Sequence, residues 1–164
     1  MINTTAEPSQ ILVKKVIEVA APQAIAFQVF TAEMSSWWPL ESHHIGKTKA
    51  VASVVEPKVG GRWYERGEDG TECSWGRVLA WDPPGRIVLT WQISADWQFE
   101  GTLLTEVEVR FLAESPTRTT VTLEHRKLSA YGPRAEEMRQ VFESDGGWTG
   151  VLQSFAKQAA RSLA

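Results

Sequence analysis

Three histidines and a single cysteine carry most of the acid–base and nucleophilic potential of this chain. His125 lies near the end of Thr117 to Arg126, where Val121, Leu123 and His125 alternate with Thr120, Thr122, Glu124 and Arg126. An imidazole on the apolar side of a strand, with an ordinary pKa near 6.5, can hold a polar group of a bound molecule or move a proton. The same position suits a histidine hydrogen-bonded to a neighbouring element, with a purely structural role. His43 and His44 are adjacent in a loop that follows Trp37-Trp38-Pro39. Adjacent loop residues seldom converge on one ion, and only Glu41 lies near as a further ligand, so the pair does not read as a metal site. It reads as the rim of a cavity, with one ring turned inward. Cys73 has no histidine or second cysteine at motif spacing that would make it a nucleophile. Glu65, Glu72 and Glu100 could serve acid–base chemistry, but strands routinely carry carboxylates on their wet face. The sequence has no Gly-rich phosphate loop, nucleophile elbow or metal-binding helix motif. Asp145-Gly146-Gly147 reads as a helix cap, and no cofactor is expected.

Tryptophan is the compositional outlier, with eight spread along 164 residues. Large aromatics in that number signal a big core, a lined cavity, or both. A formal charge of −3 and 43% hydrophobic residues fit one soluble domain. A chain of this size buries roughly 70% of its unfolded surface and needs no metal or disulfide to fold. One cysteine excludes an internal disulfide and suits a reducing, cytoplasmic setting. Residues 1–10 lack the pattern of a secretory signal, and no apolar run approaches the roughly 20 residues of a membrane span. Dispersed Arg and Lys in a mildly acidic chain argue against a nucleic-acid partner. Either a monomer or a homodimer fits this composition.

Periodicity predicts the elements that position these residues. Met1 to Gln10 reads as a flexible tail ahead of a single domain over 11–164. Ile11 to Val19 predicts a first strand. Pro22 opens a helix with Ile25, Ala26, Val29 and Phe30 on its apolar face, and Glu33 to Trp38 predicts a second short helix stopped by Pro39. Strands are then predicted over Thr48 to Val55, Arg62 to Arg66, Glu72 to Trp81, Arg86 to Ile93, Leu103 to Leu112 and Thr117 to Arg126. Gly60-Gly61, Asp69-Gly70, Asp82-Pro83-Pro84-Gly85 and Ser115-Pro116 turn the chain between them. The inward side of Glu72 to Trp81 is ambiguous, since Trp75, Leu79 and Trp81 compete with Gly76, Val78 and Ala80. A helical segment runs from Pro133 to Phe142. Beyond Gly146-Gly147, the residues Trp148, Val151, Leu152, Phe155 and Ala159 recur at helical spacing, with Ser144 or Asp145 as the expected cap.

This order describes an α+β helix-grip fold. A curved antiparallel sheet of about six or seven strands wraps around a long C-terminal helix, with two short helices after the first strand. Such a sheet leaves a concave apolar space against the helix, the default location of a small-molecule site. The side chains expected to line it are Trp38, His43, Trp63, Trp91, Val109, Leu123, His125, Trp148 and Leu152. Trp97 and Phe99, in a polar loop, suit a gate or a partner contact.

Six short segments also carry a resemblance. They are Trp37-Trp38-Pro39, Val59-Gly60-Gly61-Arg62-Trp63, Gly76-Arg77-Val78 followed by Asp82-Pro83-Pro84, Thr90-Trp91, Thr122-Leu123-Glu124-His125, and Gly147-Trp148-Thr149-Gly150-Val151-Leu152. In this order the chain resembles the START/birch-pollen-allergen (SRPBCC) superfamily from about residue 10 onward. Within it, the chain is similar to the family named after the C-terminal domain of the activator of the Hsp90 ATPase. The resemblance implies a hydrophobic cavity between sheet and helix, used in the superfamily for lipids, hormones, polyketides or other ligands. It also implies a chaperone as a candidate partner, although the eukaryotic activators carry a further N-terminal domain for which this chain has no room. Binding of a small apolar or aromatic ligand is therefore the expected function. Partner binding of the chaperone-activator type is the alternative. An enzyme of the cyclase or hydrolase kind using His125 ranks third, because no second catalytic group converges on it in the sequence.

Overall fold

The alternating residues near the middle of the chain form a hairpin, β6 (Thr105–Ser115) and β7 (Arg118–Arg126). Val107, Val109, Phe111, Val121, Leu123 and His125 point inward and are buried. On the outer face Arg126 reaches Glu106 at 3.0 Å and Glu108 at 2.7 Å, so charge pairs cover the wet side. Extending this hairpin, β1 (Val13–Val19), β2 (Ala50–Val55), β3 (Arg62–Gly67), β4 (Glu72–Asp82) and β5 (Arg86–Trp91) complete a seven-stranded antiparallel sheet in the order β1-β7-β6-β5-β4-β3-β2. The structure is a computed structural model that describes residues 11–162. The tail expected over residues 1–10 lies outside the described residues.

The ambiguity of β4 is resolved by two irregularities in its pairing. The register shifts against β3 between Trp63 and Tyr64, and against β5 between Val78 and Ala80. The first leaves Trp75 as the extra residue, so Trp75 and Val78 both face the interior although they are three apart, and the second, at Leu79, does the same for Val78 and Trp81. Leu79 is left exposed, while Trp81 packs edge-on against Phe27 with ring centroids 5.2 Å apart.

Three α-helices cover the concave face: α1 (Gln23–Thr31), α2 (Ala135–Glu143) and α3 (Gly150–Arg161). The second helix expected over Glu33 to Trp38 is a single 3-10 turn, Met34–Ser36. The segment expected to be helical from Pro133 begins its α-helix at Ala135, after a 3-10 stretch broken at Gly132. The strand expected to reach Ile93 stops at Trp91, and Ile93 forms an isolated bridge to Phe99.

The final helix does not start on a side-chain cap at Ser144 or Asp145. It starts from a π-type turn, Asp145–Thr149, packed so closely against the end of α2 that a Cβ on Gly147 would sit 2.4 Å from the Val141 carbonyl oxygen. From there Val151, Leu152, Phe155 and Ala159 go into the core, where Phe155 meets Phe30 and Trp37 at centroid distances of 5.2 Å each. The space between sheet and α3 is largely filled by these side chains. Accessible concavities lie at the margins of the sheet, one of them between α1 and Trp81 and another at the end nearest Trp38, Trp75 and Trp91.

Candidate functional site

A pocket of about 470 Å³ opens at the end of the sheet where β4 and β5 meet the 40–47 loop, the 94–100 loop and the α2–α3 junction. Its walls include Trp38, Trp75, Trp91 and Trp97, with Ile45, Ile93 and Val141 filling between them. Three of the four tryptophans are pinned by the core. Trp38 packs on Trp75 at 5.0 Å and on Trp148 at 5.9 Å, while Trp91 packs on Trp63 and Trp148 at 5.7 Å each. Trp97 is different: it is 43% exposed, and its backbone is left-handed at φ 62° in a turn closed by its own N–H to the Ser94 carbonyl. A non-glycine residue held there is strained and over-determined by its surroundings.

The rim is fastened by polar groups. Trp38 donates its indole N–H to the His43 carbonyl at 2.9 Å. His43 Nε2 lies 2.7 Å from the Gly146 carbonyl, which ties the loop to the turn before α3, and its Nδ1 lies 2.6 Å from the Ser42 hydroxyl. Beneath the loop stands Glu65, 1% exposed. Its Oε1 accepts from Ile45 N at 2.7 Å and Trp75 Nε1 at 2.8 Å, and its Oε2 accepts from Gly46 N at 3.0 Å. A buried carboxylate with three donors is satisfied as well as such a group can be. It therefore does not belong with the wet-face glutamates expected from sequence. Its parity with Trp63, two residues earlier on β3, was the available signal. Glu72 and Glu100 do lie at the surface, paired with Arg62 and Thr102 respectively.

His125 is fully buried, and both of its ring nitrogens are used. The Trp148 indole, which only donates, reaches Nδ1 at 3.1 Å. Nε2 therefore carries the proton and donates to the Thr105 hydroxyl at 2.9 Å, whose own hydrogen goes to the Trp91 carbonyl at 2.8 Å. Burial lowers the pKa of this imidazole to about 3, so it is neutral. One buried donor beside it is left over: Trp91 Nε1 has no hydrogen-bond partner among the described residues. The neighbouring Tyr131 hydroxyl is turned to the Ile93 carbonyl at 2.6 Å, and burial pushes its pKa up.

Of the side chains expected to line the cavity, Trp38, His43 and Trp91 line this pocket. Trp148 joins those three around a smaller adjoining space of about 50 Å³. Trp63, Val109, Leu123, His125 and Leu152 sit in the packed core and do not line this pocket. His44, Ile45, Trp75, Ile93 and Val141 are pocket residues that periodicity alone did not single out, since loop geometry and the β4 irregularities place them there. Cys73 borders a neighbouring polar pocket, and burial, with the nearby charges of Glu65 and Asp69, pushes its thiol pKa up, against nucleophilic use. Among the described residues no group of three or more His, Cys, Asp or Glu is placed to hold a metal ion. No helix among them is long and apolar enough to cross a membrane.

The model of the family described as activator of Hsp90 ATPase homolog 1-like protein matches residues 16–160. Among solved structures, the chain is similar to Txn09, an anthrahydroquino-γ-pyrone synthase, with 37% identity over 93% of this chain and 99% of that one, at a TM-score of 0.64. It is also similar to CalC, a self-sacrificing resistance protein from Micromonospora echinospora, with 28% identity over 95% and 97% of the two chains and a TM-score of 0.71. An Hsp90 activator from Plasmodium falciparum shares the fold, at 21% identity over 71% and 72% of the chains and a TM-score of 0.50. No curated protein matches.

Proposed function

This chain belongs to the activator of Hsp90 ATPase homolog 1-like family, and we propose that it binds a small planar aromatic molecule in the tryptophan-walled pocket. The observation that carries this reading is the set of four tryptophans around about 470 Å³. Flat indole walls favour a flat ligand through stacking and edge contacts. Burial contributes about 25 cal/mol per Å² of apolar surface, so a tricyclic ligand gains most of its affinity without any polar contact. The relative at 37% identity is named for a fused aromatic pyrone, a molecule of this shape class. His125 influences the ligand only through Trp148 and Trp91, which it and Thr105 hold in place. Cytoplasmic residence as a monomer or homodimer goes with this reading.

Quinizarin, a planar dihydroxyanthraquinone, is a suitable probe. Saturable quenching of tryptophan emission, reduced several-fold by Trp91→Phe, is the expected result, because the smaller ring removes part of the flat wall against which the ligand stacks. Equal affinity of the two proteins would remove Trp91 from the recognition.

A second reading rests on Trp97 and Phe99, 43% and 44% exposed in one loop. In it, these aromatics dock on a chaperone, as the family description suggests. Stimulation of a purified Hsp90 ATPase that disappears in Trp97→Ala would support it. No stimulation would leave Trp97 to the pocket alone.

A further inference from the structure

The hydrogen-bond partners of the three histidines separate them chemically. His125 has both nitrogens engaged and no access to the pocket. His43 must donate from Nε2 to the Gly146 carbonyl, and its Nδ1 accepts from Ser42, so it has no free lone pair. His44 differs. Its Nδ1 lies 3.1 Å from the Gly46 carbonyl oxygen, which can only accept, so Nδ1 carries the proton and Nε2 keeps the lone pair. Nε2 has no hydrogen-bond partner among the described residues, yet it is not among the buried unpaired atoms, so it is accessible. The side chain is 25% exposed and lines the pocket. Behind Nδ1, at 4.0 Å, stands Glu65 Oε2.

We propose that His44 is a general base for a ligand held in the pocket, with Glu65 as the positioning residue behind it. The proposal rests on the pocket reading above and adds an activity to it: proton abstraction from a carbon beside a carbonyl in a planar polycyclic ketone. The C–H bond breaks, its electron pair passes into the carbonyl as an enolate, and the proton goes to Nε2. The imidazolium then donates from both nitrogens, with the Glu65 carboxylate close enough to hold its charge. Return of the proton to the enolate oxygen completes a tautomerisation, with no oxidant or reductant. Glu65 acts by holding the backbone of Ile45 and Gly46, and through Gly46 the His44 ring, while fixing Trp75 with the same carboxylate.

The test uses anthrone, a tricyclic ketone with acidic ring-methylene hydrogens, in D₂O under nitrogen. Loss of the methylene signal by NMR reads proton abstraction, and tryptophan quenching reads binding separately. Wild-type protein is expected to exchange those hydrogens on the order of a hundredfold faster than His44→Gln, the usual scale of a positioned general base. Added imidazole is expected to restore exchange to His44→Ala. Glu65→Gln is expected to lower the saturated rate roughly tenfold while moving the half-saturating anthrone concentration by no more than about twofold. Quenching without any difference in exchange between wild type and His44→Gln overturns the proposal and leaves the pocket reading intact. Absence of quenching overturns both. The His44 variants decide the matter even if Glu65→Gln does not fold.

Discussion

His125 shows how one residue can be conspicuous in a sequence and yet be read in two ways. Strand parity puts it inward, and inward it is, but Trp148 and Thr105 already occupy both nitrogens. A ring with a folded pKa of about 3 stays neutral while the unfolded chain takes up a proton below its ordinary value of 6.5. The unfolded state then binds more protons, so the stability from His125 is complete above about pH 6.5 and is lost as pH falls toward 3. The unfolding free energy of the wild type should therefore drop more steeply than that of His125→Gln as pH falls below 6.5, by about 1.4 kcal/mol per unit. Urea titrations across that range check this, and parallel slopes would contradict a neutral buried ring. Glu65 is the converse case. Its parity with Trp63 was readable, but the three donors that make burial tolerable come from a loop and from a second strand, which a linear pattern cannot bring together.

At the scale of elements, alternation and helical spacing located every strand and the final helix, because burial on one face dictates both patterns. What they missed are the irregularities that set the site. The β4 register shifts place Trp75 in the pocket, and the π-type turn replaces the expected cap. Both arise from packing against elements distant in sequence. Since Asp145 makes no capping bond from its side chain, Asp145→Ala should cost under about 0.5 kcal/mol, less than the roughly 1 kcal/mol of a working cap. Gly147→Ala should cost about 1–3 kcal/mol, because the added methyl meets the Val141 carbonyl and must displace α2 or α3. Denaturant midpoints of the two variants, measured side by side, test the assignment. Equal midpoints would mean that the junction before α3 is looser than described.

For the whole molecule, the helix-grip arrangement was legible from element order, but the position of the open space was not. The expected cavity between sheet and helix is occupied by rings such as Trp63, Phe30 and Phe155, and the tryptophan-walled space lies instead at the end bounded by Trp38, Trp75, Trp91 and Trp97. A ligand bound only by the folded state stabilises it by mass action. Quinizarin at about 100 times its dissociation constant should add about 2.7 kcal/mol and raise the melting temperature by roughly 5–10 °C. The most direct test is a quinizarin titration followed by tryptophan emission in the wild type and in Val141→Arg. Val141 is 36% exposed on the pocket rim, so arginine there fills the entrance at little cost to the core. Saturable quenching in the wild type, weakened at least tenfold by Val141→Arg with an unchanged melting temperature in the absence of quinizarin, is the predicted result. Quenching that never saturates, or that is identical in both proteins, would contradict a ligand site at this end of the sheet.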